Sequence, residues 1–84
     1  MKIKPEHYAH MRDAIRAAVT REQVTSHRAA LLATGKPMDI DMRVRWDMTY
    51  AAKLTPWICA NVYPYADDSH IDTALRAIVR ECFA

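Results

Sequence analysis

The chain has 84 residues and a single glycine, Gly35. So little glycine disfavours designs built on several positive-φ positions, such as phosphate-cradling loops or sheets joined by tight primed hairpins. Long apolar runs are absent too. No stretch reaches the roughly 18 residues that a membrane-spanning helix needs, so no membrane association is expected. The opening Met1-Lys2-Ile3-Lys4-Pro5-Glu6-His7 is charged where a secretory leader would be apolar. The two cysteines, Cys59 and Cys82, lie far apart and in no metal-type spacing. Without an export signal they are expected to be reduced and buried as small hydrophobes.

What is present describes one globular domain, residues 1–84. Apolar residues make up 51% and charged residues 26% of the chain, near the globular average and far from a disordered composition. A chain of this size buries roughly 60–65% of the surface its unfolded form exposes, so its stability margin is narrow. The net charge of +2 does not demand a polyanionic partner. Its distribution is uneven: residues 1–36 carry a net +4 and residues 37–72 a net −3. Such a dipole can orient a partner. Attraction between two halves of one bundle is the simpler reading.

Pro5 is suited to the first position of a helix, where its missing N–H has no partner to lose. Tyr8, Met11, Ile15, Ala18 and Val19 then recur at helical spacing. Thr20-Arg21-Glu22-Gln23 reads as a capping box, predicting a break near Thr20 and a second helix from about Arg21 to Thr34. Gly35 at the left-handed C′ position and Pro37 beyond it supply the stop. Residues 38–50 are ambiguous. Met38, Ile40, Met42, Val44, Trp46, Met48 and Tyr50 alternate with polar residues, a strand pattern that residues 57–63 could partner. Against a strand, three of the seven are Met, Ala51-Ala52-Lys53-Leu54 continues in helix formers, and Asp39 or Asp41 would make a good N-cap. Thr55-Pro56 starts a short helix to about Val62, and residues 63–68 form a turn. Ser69-His70-Ile71-Asp72 fits a capping box for a last helix whose stripe is Ile71, Ala74, Leu75, Ile78, Val79 and Cys82.

The chemistry-bearing residues each have a structural reading. His7, His10 and Asp13 lie three apart on the first helix, but metal sites draw convergent ligands from more than one element, and a solvated face is the simpler account. Neither a metal nor a cofactor is expected. Asp67, Asp68, His70 and Asp72 suit helix capping better than acid–base catalysis, since no nucleophile is arranged around them. Trp46 is expected in the core, with Arg43 and Arg45 reaching solvent. Arg43 and Arg45 remain candidates for contact with a partner. Trp57, Tyr63 and Tyr65, in or beside a turn, are candidate interface anchors. His70 is a further candidate, because a first-turn histidine gains nothing from the positive helix end.

Two segments, Arg43-Val44-Arg45-Trp46-Asp47 and Asp68-Ser69-His70-Ile71-Asp72-Thr73-Ala74-Leu75-Arg76-Ala77-Ile78, resemble small uncharacterised proteins encoded by temperate phages and prophages. The resemblance covers mainly residues 40–80. It implies helix around both motifs, a bacterial cytoplasm and a phage accessory role; it carries no activity. The expected fold is thus all-α, a compact bundle of four or five short helices, the alternative being α+β with a hairpin from 40–50 and 57–63. The expected function is non-enzymatic: binding a host protein, a defence component among the candidates, and blocking or redirecting it. The rival is a small nucleic-acid-associated regulator using the basic residues 1–36.

Overall fold

Local signals place every helix start in the computed structural model, which describes residues 2–84. Helix α1 (Pro5–Ala18) begins at its proline. Helix α2 (Arg21–Ala33) opens on the reciprocal capping box, with the Gln23 N–H donating to Thr20 Oγ1 and the Thr20 N–H to Gln23 Oε1. Its end is closed by Gly35 at φ 67°. An added Cβ there would meet nothing within 4 Å, so the demand for glycine is conformational, not steric.

Residues 40–51 form helix α3 (Ile40–Ala51), and no strand occurs among the described residues. The hairpin alternative is therefore excluded. Asp39 caps α3 by accepting from the Met42 N–H at 3.1 Å. The helix ends in a Schellman motif, in which the Leu54 N–H donates to Thr49 O and the Lys53 N–H to Tyr50 O. Lys53 takes φ 57° there. The short helix α4 (Thr55–Asn61) follows, then the turn, then α5 (Asp68–Phe83).

The long helices close around one core. Met11 and Ile15 of α1, Val44 and Met48 of α3, and Ile71, Ala74, Leu75 and Ile78 of α5 are all buried. Leu54, Ile58, Val62 and Ala66 seal one end from α4 and its flanks. The radius of gyration is 12.6 Å, near the value of about 12 Å expected for a single domain of this length. Helix α2 differs from the rest. None of its residues is fully buried, and it leans mainly on α3. His27 Nε2 meets Asp47 Oδ2 at 2.6 Å, and Arg28 Nε meets Asp41 Oδ1 at 3.0 Å.

Three expectations about individual residues are corrected. Trp46 packs against the core but is only half-buried, because the buried face of α3 is Val44, Arg45, Met48 and Thr49. Cys59 is exposed, since Ile58 supplies the inward position of α4. Asp67, not Ser69, caps α5, accepting from the His70 N–H at 3.0 Å. The helix starts one residue before Ser69, which turns Asp72 away from the cap and toward α3.

Candidate functional site

The six sequence candidates fall into three groups: the two arginines of α3, the pair His70 and Tyr63, and the pair Trp57 and Tyr65. Arg45 lies inside the fold. Its Nε and Nη2 donate to the two carboxylate oxygens of Asp72, each at 2.9 Å, and the residue is only 6% exposed. That corrects the expectation that Arg45 reaches solvent and offers itself to a partner. Donation to the Asp72 carboxylate raises the Arg45 pKa above its ordinary value. Arg43 does reach solvent, one turn from Asp47, and donates to both of its oxygens at 3.1 Å.

His70 and Tyr63 fasten the turn between α4 and α5. The His70 ring Nδ1 lies 2.6 Å from Asp67 Oδ1, so this half-buried residue has a structural role that the sequence reading missed. Tyr63 donates its hydroxyl proton to Asp68, and this bond, with some burial, pushes its pKa up to about 12. The neighbouring Asp67 carboxyl is held below its ordinary value, first by the His70 backbone N–H and then by the His70 ring.

Trp57 and Tyr65 form the third environment, where the structure adds residues from α1 and the segment before it. His10 stacks on the Trp57 ring, with centroids 4.0 Å apart and planes at 19°. His7 meets the same indole edge-on at 5.6 Å and lies 6.1 Å from the Tyr65 ring. Lys4 Nζ sits 3.7 Å over the face of Tyr65, a cation–π contact. The spacing that first suggested metal ligands in His7 and His10 instead brings both imidazoles to one indole, while Asp13 pairs with Arg12 at 3.1 Å. Among the described residues no group of three His, Cys, Asp or Glu side chains is placed to hold a metal.

This face is prearranged and polar at its rim. Pro56 and the first turn of α4 set the Trp57 backbone, whose carbonyl also accepts from Asn61 Nδ2 at 3.0 Å. The indole is half-buried while Tyr65 is 56% exposed, leaving an aromatic surface with a basic rim. The His7 Nδ1 atom is buried with no hydrogen-bond partner, an orphan of a kind that most folded interiors avoid. Histidines on α1 and aromatics near α4 are some 50 residues apart in sequence, and no spacing signal links them.

Among the described residues, no helix is long and apolar enough to cross a membrane. Comparison with known proteins returns no matching family model, no matching curated protein and no matching solved structure.

Proposed function

We propose that this chain is a non-enzymatic binding domain that engages another protein through the face centred on Trp57 and Tyr65. The observation that carries the proposal is the Trp57 ring packed against His10, face to face, and His7, edge-on, beside a Tyr65 that is 56% exposed. Aromatic side chains immobilised in advance lose little entropy on binding and supply most of the energy at protein interfaces. In the setting implied by the phage resemblance, the partner is a host protein that is blocked or redirected.

The placement of the other polar residues supports binding over catalysis. His70 and Asp67 are engaged with each other at a helix start, and Asp72 is engaged with Arg45. The nucleic-acid rival loses force because several arginines of residues 1–36 face acids. Arg12 and Arg16 lie near Glu81, and Arg28 pairs with Asp41. Affinity capture from a bacterial host lysate tests the proposal with the wild-type chain, Trp57→Ala and Tyr65→Ala. A partner held by the wild type is expected to be lost from both variants; one retained by both sinks the reading. DNA binding that is strong at low salt and falls steeply as salt rises would favour the rival.

A further inference from the structure

A second surface shares no residue with the Trp57 face. Helices α2, α3 and α5 border an open groove of about 520 Å³. Val24, Val44, Val79 and Phe83 give it an apolar lining, one or two from each helix. Four arginines line it as well: Arg21 and Arg28 from α2, Arg45 from α3 and Arg76 from α5. Asp39 and Asp41 share the lining and Asp72 is paired with Arg45 at its edge, so four cations meet three carboxylates there.

The arginines are not equally committed. Arg45 is the buried one, and its Nε and Nη2 are both taken by Asp72, which leaves Nη1 without a hydrogen-bond partner among the described residues. Asp72 holds that guanidinium in one orientation against the groove. Arg76 reaches the same carboxylate only at 4.0 Å and is mostly solvent-exposed, so it can turn to an incoming anion. Arg21 donates to the Ala84 oxygen at 3.0 Å, at the edge of the groove. Arg28 is paired with Asp41. The groove therefore combines one fixed cation, one exposed and loosely held cation and an apolar lining, along a helix (α2) that has no fully buried residue of its own.

We infer that this groove binds a peptide segment of a partner protein in which an Asp or Glu side chain is flanked by a large apolar residue. The carboxylate would lie between Arg45 Nη1, which offers one donor, and Arg76, whose exposed guanidinium can turn its two-pronged edge to it. The neighbouring apolar side chain would cover Val24, Val79 and Phe83. A nucleic-acid backbone fits less well. Asp39 and Asp41 repel a run of phosphates, and the lining offers aliphatic surface with one phenyl ring in place of a stacking platform.

Selection from a random-peptide display library against the full-length protein tests the inference. The enriched peptides are expected to share an acidic residue beside an apolar one. Their affinity should fall about tenfold in Arg76→Ala and in Arg21→Glu. Both positions are surface arginines, so thermal melts near wild type should accompany the loss. Trp57→Ala, which would disable the face of the proposed function, should leave peptide binding unchanged; the two sites can therefore fail separately. The inference is overturned if nothing enriches, if the enriched peptides lack acids, or if binding survives in both arginine variants. It is also overturned if those variants abolish binding of a single-stranded oligonucleotide or a concentration-dependent self-association, since either would assign the groove another occupant.

Discussion

Arg45 and Asp72 join α3 to α5 through two parallel hydrogen bonds of 2.9 Å. Asp72 is itself mostly buried, at 17% side-chain exposure. Removing one member of such a pair leaves an uncompensated charge inside the fold. Asp72→Ala and Arg45→Ala are each expected to cost about 3–5 kcal/mol in denaturant unfolding, most of the stability of a domain this small. The double variant Arg45→Met/Asp72→Leu should cost less than either single one, because no buried charge remains. If the double change is the worse, the pair contributes more than mutual compensation.

Core volume orders the next pair of substitutions. Leu75 is fully buried, so Leu75→Ala should cost about 2–5 kcal/mol. Trp46 is half-buried on α3, and Trp46→Ala should fall below the about 3–5 kcal/mol typical of a buried tryptophan. Urea melts of the two variants give the comparison directly. A larger loss at Trp46 would place its ring deeper than the structure does.

At the start of α5 the cap is Asp67, so Asp67→Ala should lower the melting temperature while Ser69→Ala leaves it nearly unchanged. The effect should depend on pH. The folded-state pKa of Asp67 is lowered by the His70 contacts. The folded chain therefore binds fewer protons at this site than the unfolded one. The stabilisation is complete above the unfolded value of about 4 and is lost as pH falls through the lowered folded value. The melting-temperature gap between wild type and Asp67→Ala should narrow below about pH 4. A gap that stays constant into strong acid would mean that the carboxylate charge has no part in the cap.

Lys53 holds a left-handed conformation at the C′ position of α3, at φ 57°. A residue with a Cβ is strained there, by roughly 1–2 kcal/mol. Lys53→Gly should therefore raise stability by about 1 kcal/mol, measured by chemical denaturation. A loss instead would show that the lysine side chain offsets its own backbone strain.

Tyr63 should be among the last tyrosines to ionise. Its pKa is pushed from 10.0 up to about 12, chiefly by the hydroxyl bond to Asp68. Because the folded value is the higher one, the contribution of the contact is complete below about pH 10 and disappears as pH rises through the folded value. Absorbance titration of the phenolates should show a late step that is absent in Tyr63→Phe and moves to lower pH in Asp68→Asn. A titration with no late step would remove the Tyr63–Asp68 bond from the folded state.

The amino-acid sequence by itself determined four of the five helices and most of their ends. Pro5, the Thr20–Gln23 box, Asp39 and Gly35 act within one turn of chain, so their effect follows from neighbours alone. The period-two pattern of residues 38–50 was ambiguous for the same reason. It describes alternation along the chain, whereas burial on α3 was decided by the packing of α1, α2 and α5 around it, which chose Val44, Arg45, Met48 and Thr49. Only the tertiary structure could turn Asp72 from a capping residue into the counter-ion of Arg45, because residues 27 apart in sequence meet only when two helices pack. The same holds for His10 on Trp57 and for the arginines of the groove. Each side chain is unremarkable in its own helix, and its role comes from a neighbour that folding supplies. Lys53 marks the limit from the other side. No local preference puts a lysine in the left-handed region; burial of Leu54 beside it, at 2% exposure, offsets the strain.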